Sequence, residues 1–295
     1  MSAAAGTVLL TGATGMVGRH AWTALKRRGF EVIAVAREGT PIAGDLLDAD
    51  TRRALVRSHR PSHWLHLAWE TRHGYFWSAP ENDQWLAASL DLLSRFVDAG
   101  GRRVVVAGTC AEYDWRNIGR RPIAESAPLL PSTRYGATKK ALHAELAERA
   151  KAGGFTYAWG RLFLLVGAGE HPDRLVPSLA RALLAGNAAN CTAGDQMRDF
   201  MDSRDAGEAF AALAESDVNG PVNIASGEAH SVGEVALTLG RLAGRLDLVR
   251  LGALPMRPDD PPFLVADTTR LSQELKFRPR IGFEPMLTQA LERWR

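Results

Sequence analysis

Cysteine is scarce in this chain: among 295 residues there are two, Cys110 and Cys191. Their separation excludes a CxxC redox pair, and the eight scattered histidines add no metal-ligand spacing, so no metal is expected. Long apolar runs are also lacking. None approaches the ~18 residues of a membrane span. The opening Met1-Ser2-Ala3-Ala4-Ala5 has no basic-then-apolar signal pattern, so a cytoplasmic protein with reduced thiols and no membrane partner is expected. Basic tracts are missing too. The formal charge is +3 and the pI about 9.1, yet the arginines are dispersed. Counter-ion release needs a single-sign patch, so nucleic acid is not an expected partner.

What is present is an ordinary globular balance, 46% apolar and 23% charged, arranged as repeated βα units. Apolar runs predict strands at Thr7–Leu10, Val32–Ala36, Trp64–Ala68, Val104–Ala107, Tyr157–Arg161 and Pro221–Ala225. Amphipathic stretches predict helices at Val17–Arg28, Asp50–His59, Glu81–Ala99 and Tyr135–Lys151. Strands that are apolar throughout suit a parallel sheet covered on both faces. The expected fold class is therefore α/β, a doubly wound, Rossmann-like parallel sheet. Beyond residue 166 Pro and Gly punctuate the chain, with a cluster at Pro255, Pro258, Pro261 and Pro262. A smaller, interleaved C-terminal lobe is expected: 1–166 and 203–234 form the first unit, 167–202 and 235–295 the second.

The first strand runs into Thr11-Gly12-Ala13-Thr14-Gly15-Met16-Val17-Gly18 and then a helix. Glycine is needed where the backbone turns sharply and approaches a pyrophosphate. The helix N-terminus then offers free N–H groups and a positive dipole end. Gly12, Thr14, Gly15, Met16 and Val17 are candidate cofactor contacts. The second strand ends Val35-Ala36-Arg37, without the acid that would bind a ribose 2′-hydroxyl. A guanidinium there suits a 2′-phosphate, with Arg19 assisting, so NADP(H) is expected and NAD is the alternative. Glu38, one residue on, complicates the choice.

Tyr135-Gly136-Ala137-Thr138-Lys139 opens a helix, which places Tyr135 and Lys139 on one face. An ammonium beside a phenol stabilises the phenolate, so the tyrosine pKa should fall and the hydroxyl could exchange a proton with a carbonyl oxygen. With only four tyrosines and five lysines in the chain, chance pairing at this spacing would be rare.

The GxxGxxG loop and the Tyr-x-x-x-Lys pair together resemble the extended short-chain dehydrogenases/reductases, the NAD-dependent epimerase/dehydratase family. The resemblance continues through Arg161-Leu162-Phe163-Leu164-Leu165-Val166-Gly167, Arg198-Asp199-Phe200, Asn223-Ile224-Ala225-Ser226-Gly227 and Phe277-Arg278-Pro279. It implies an adenine contact at Asp45 and Leu46, and a cofactor-facing strand end at Leu67 and Ala68. It also implies Thr109 as the hydroxyl that holds the substrate carbonyl, with Tyr135 and Lys139 as its catalytic partners and Lys139 also touching the cofactor. Arg198 and Arg257 match diphosphate-binding positions of a nucleotide-sugar substrate. Trp69, Glu112, Arg174 and His171 are weaker candidates for the sugar pocket, which Tyr135 also borders. Cys110 is read as packing against the sheet.

Departures narrow the chemistry. Leu164 replaces the family's Asn, and Cys110 and Ala111 stand where dehydratases carry an Asp-Glu pair, which disfavours 4,6-dehydration. The resemblance is closest in character to reductases of nucleotide-linked 4-keto-6-deoxyhexoses, and a 4-epimerase with bound NAD is the alternative. A catalytically dead dinucleotide sensor would ordinarily lack the Tyr or Lys. The resemblance also implies a homodimer through Glu81–Ala99 and Tyr135–Lys151, and Trp85, Leu86, Leu90, Leu93, Phe96 and Val97 give the first helix more apolar surface than one sheet face obviously needs.

Overall fold

Seven parallel strands carry the molecule, which is described by a computed structural model over residues 6–257 and 260–295. Met1–Ala5 and Pro258 lie outside the described residues. In chain order the elements run β1 (Thr7–Thr11), α1 (Gly18–Arg27), β2 (Glu31–Ala36), β3 (Ile42–Ala43), α2 (Ala49–His59), β4 (His63–His66) and α3 (Glu81–Asp98). They continue with β5 (Arg103–Thr109), α4 (Arg134–Lys151) and β6 (Thr156–Leu162). The chain then leaves the seven-stranded sheet through β7 (Leu164–Val166), α5 (Leu175–Leu184), β8 (Ala189–Asn190), β9 (Met197–Arg198) and β10 (Phe200–Asp202). It returns as α6 (Ser203–Glu215) and β11 (Gly220–Ile224). The remainder is β12 (His230–Ser231), α7 (Val232–Leu242), β13 (Val249–Arg250), β14 (Phe263–Leu264), α8 (Thr269–Gln273) and α9 (Phe283–Glu292).

The sheet order is β11-β6-β5-β4-β1-β2-β3. Order reverses between β1 and β4, so their C-terminal ends leave a crevice where crossovers depart in opposite directions. Each predicted strand and helix is present within about two residues of its expected ends. The exceptions are informative. The β4 ladder stops at His66 rather than Ala68, because Leu67 and Ala68 turn aside to pack on Gly12. Strand β3, only two residues long, is too short to show a pattern.

Burial on both faces explains the apolar strands. Below, α1 and α6 pack Ala21, Ala24, Leu25, Ala209 and Phe210 against Val8, Leu10 and Val105. Above, α3 and α4 pack Leu92, Leu93, Phe96 and Leu142 against Leu9, Trp64 and Val104. Polar caps start the helices: Asp48 accepts from Asp50 and Thr51 at α2, Thr133 from Gly136 at α4, and Asp202 from Arg204 at α6. A further core lies where α5, α7 and α9 enclose Val176, Leu179, Val235, Leu239 and Leu287. Among the described residues no helix is long and apolar enough to cross a membrane.

Candidate active site

The glycine loop closes the C-terminal end of β1. Gly12 has φ +78°, and a Cβ there would lie 2.7 Å from Ala68 N and 2.8 Å from Leu67 O. Gly18 opens α1 so close to Gly12 that a Cβ would meet the Gly12 carbonyl oxygen at 2.0 Å. Both contacts are with backbone, which cannot yield, so these positions admit only glycine. The Met16 and Val17 amides, immediately before α1, donate to no acceptor among the described residues. Free amides at a helix N-terminus, facing out beside exposed Thr14 and Gly15, fit a dinucleotide pyrophosphate. Arg19 braces the loop, donating to the carbonyls of Gly15 and Thr14, both at 3.2 Å.

Arg37 lies exposed at the tip of β2 and makes no ion pair among the described residues. Glu70, which is held by Arg72, is near enough for Arg37 to help lower its pKa. Asp45 is exposed and accepts from Leu47 N at 2.9 Å, while the cap of α2 is Asp48. Leu46 is buried under α2, and its carbonyl accepts from Arg52.

Thr109 ends β5 and Tyr135 begins α4, so two elements that pack together bring the hydroxyls side by side. Burial pushes the Tyr135 hydroxyl above its ordinary range, and the hydrogen bond with Thr109 opposes this. Arg174 is near enough to pull it down slightly. Lys139 is buried one turn along α4. Its Nζ donates to the Ala107 carbonyl at 2.8 Å and sits 3.8 Å from the centre of the Trp69 ring. Desolvation lowers its pKa to about 7. The expectation that Lys139 depresses the tyrosine pKa is therefore not met by the protein's own groups. The ammonium is turned toward the Ala107 carbonyl and the indole face, and burial dominates at Tyr135.

Several expected substrate contacts are engaged elsewhere. Glu112 does not face the cleft. It is fully buried, pairs with Arg161 Nε at 2.8 Å, and accepts from Trp159 Nε1 at 2.9 Å and Thr109 N at 2.8 Å. A charge at this depth needs such partners, and its effect on the site runs through Thr109. Trp69 packs beneath Lys139 with its Nε1 donating to Asn82 at 2.7 Å, so it supports the lysine rather than stacking on a sugar. Arg198 is buried and donates to Pro261 O at 2.7 Å and Asp260 at 2.6 Å. Arg257 is exposed and close to His73, whose ring stacks on His171 at 4.8 Å. Cys110 is buried in a cluster with Tyr113, Phe163 and Leu264, with its thiol pushed up to about 12 by desolvation.

Sequence reasoning gave no individual role to Phe76 and Trp77, which meet Tyr135, or to Trp115, which meets Trp77. Phe76 and Trp77 meet the Tyr135 ring edge-on at 5.0 and 6.0 Å, and Trp77 faces Trp115 at 6.1 Å. The run Tyr75-Phe76-Trp77, in a chain only 7% aromatic, was the available signal.

A parallel doubly wound sheet, a glycine cradle at its switch point, and Thr109, Tyr135 and Lys139 beside it are the arrangement expected of the short-chain dehydrogenase/reductase class. The chain belongs to the NAD dependent epimerase/dehydratase family, whose model matches residues 8–225. It is 30% identical over 244 residues to the dTDP-6-deoxy-L-talose 4-dehydrogenase (NAD(P)(+)) of Kitasatospora kifunensis, covering 75% of this chain and 74% of that one. It is 28% identical over 319 residues to the UDP-glucose 4-epimerase of Azospirillum brasilense, covering 95% of this chain and 89% of that one. Among solved structures, MoeE5 in complex with UDP-glucose and NAD superposes with a TM-score of 0.82 at 29% identity, covering 98% of each chain.

Proposed function

We propose that this chain uses NADPH to reduce the 4-keto group of a nucleotide-linked 4-keto-6-deoxyhexose. The choice of cofactor is supported by Arg37, which is exposed at the tip of β2, makes no ion pair among the described residues, and follows a strand that would end in an acid for NAD. A guanidinium fork there would hold a 2′-phosphate through paired hydrogen bonds.

The reduced cofactor, with its pyrophosphate held by residues 12–19, would supply the hydride. Thr109 and Tyr135 hydrogen-bond the carbonyl oxygen, which orients the sugar and stabilises charge as it builds there. Tyr135 then protonates the alkoxide. Lys139, with its pKa near neutrality, can hold or release a proton close behind Tyr135. Arg174 and Arg257 supply positive charge for the diphosphate. Arg198 could join them only by exchanging Asp260 for a phosphate oxygen.

The second reading is a 4-epimerase that retains NAD, favoured by the similarity to UDP-glucose 4-epimerases. In that cycle Tyr135 would first take the proton from the C4 hydroxyl and later return it. We also infer a cytoplasmic homodimer. On α3 the core takes Leu93 and Phe96, while Trp85, Leu86, Leu90 and Val97 remain half-exposed beside α4. The deciding experiment follows nicotinamide absorbance as the enzyme meets NADPH and dTDP-, UDP- and CDP-linked 4-keto-6-deoxyhexoses. Stoichiometric loss of NADPH is expected with one of them. Interconversion of sugars without added cofactor would establish the epimerase instead.

A further inference from the structure

Two indoles from separate loops meet beside the catalytic hydroxyls. Trp77 lies in the loop after β4, where its carbonyl accepts from Tyr135 N at 3.1 Å and its ring meets the Tyr135 ring at 86°. Trp115 follows β5, and its Nε1 donates to the Cys110 carbonyl at 2.9 Å, one residue from Thr109. The two indoles are nearly perpendicular, at 73° with centroids 6.1 Å apart. Phe76 closes the corner, 4.3 Å from Trp77 and buried, while both indoles remain partly exposed. One indole is thus tied to the segment that carries Tyr135 and the other to the segment that carries Thr109.

We propose that Trp77 and Trp115 are specificity-determining residues, forming the subsite for the C6 group and selecting methyl over hydroxymethyl. The proposal rests on the reading that the C4 carbonyl lies at Thr109 and Tyr135. C5 is bonded to C4, so the C6 group stands two bonds from the reacting carbon and must meet a wall close to those hydroxyls. A methyl group there buries apolar surface against indole faces. A hydroxymethyl group would lose water and find no acceptor on Phe76, Trp77 or Trp115, and the Trp115 N–H is already bonded to Cys110. Leaving one hydroxyl unsatisfied corresponds to a discrimination on the order of 10- to 100-fold.

Calorimetry tests this independently of turnover. Glucose linked to dTDP, UDP or CDP would each be compared with its 6-deoxy counterpart, using wild type, Trp77→Asn and Trp115→Asn. NADPH affinity would serve as the check that each variant is folded. The wild type should bind the 6-deoxy ligand at least about 10-fold more tightly, and each asparagine should reduce that ratio several-fold. Trp115→Phe, which keeps an aromatic face, should retain most of it. Equal affinities in the wild type, or a ratio unchanged in both asparagine variants, would overturn the subsite. A preserved ratio without NADPH consumption on any keto sugar would leave the subsite standing and retire the reductase reading. Failure to bind any of the six ligands would overturn both.

Discussion

Replacing Glu112 with Gln removes one charge from the most enclosed ion pair among the described residues. Glu112 and Arg161 have side-chain exposures of 0% and 1%, and the carboxylate accepts from Arg161, Trp159 and the Thr109 backbone at 2.8–2.9 Å. The glutamine is nearly isosteric, so packing is kept while the guanidinium loses its counter-charge. One of its two terminal atoms also becomes a donor among three donors. Breaking a buried pair on one side costs about 3–5 kcal/mol. For a chain of this size that corresponds to a fall in Tm on the order of 10 °C. Activity per folded molecule should fall as well, because the Thr109 amide loses the anchor that orients its hydroxyl. Urea denaturation of Glu112→Gln, Arg161→Met and the double variant would give the coupling directly. The double variant should be less destabilised than the sum of the singles by about 2 kcal/mol or more. Additive singles, or a Glu112→Gln protein within about 1 kcal/mol of wild type, would refute the assignment of Glu112 as a charged brace.

Tyr135→Phe keeps the aromatic contacts with Phe76 and Trp77 but removes the proton donor. Turnover should drop about 10²- to 10⁴-fold while NADPH titration is unchanged, and full activity would remove Tyr135 from the chemistry. Arg37→Ala should raise the KM for NADPH roughly 10- to 100-fold and leave that for NADH alone. Equal effects on both cofactors would place Arg37 away from the 2′-phosphate. Lys139 has a folded pKa of about 7 against 10.5, so between those values the folded state binds fewer protons than the unfolded one and stability rises with pH. From pH 6.5 to 8.5, measured without added nucleotide, wild type should gain on the order of 2 kcal/mol relative to Lys139→Met. Parallel stability curves for the two proteins would mean that Lys139 titrates normally.

The parts legible in the sequence are those that local physics imposes. Strands such as Val104–Ala107 announced themselves because a parallel sheet covered on both faces needs uninterrupted apolar side chains. Gly12 and Gly18 did so because backbone meets backbone there. Tyr135 and Lys139 were visible because one helical turn sets their relation before any tertiary contact forms.

What only the tertiary structure decided lies between segments distant in the chain. Glu112 read as a pocket residue until β6 brought Arg161 and Trp159 against it, and such pairing across a sheet has no local pattern. Arg198 was legible as a phosphate ligand, whereas its engagement with Asp260 spans 62 residues. Trp77 and Trp115 are unremarkable loop aromatics until two crossovers bring them together beside the active site. The pKa of Lys139 follows the same division: spacing placed it behind Tyr135, but burial against Trp69 and Ala107 sets its charge, because desolvation depends on everything that surrounds a group.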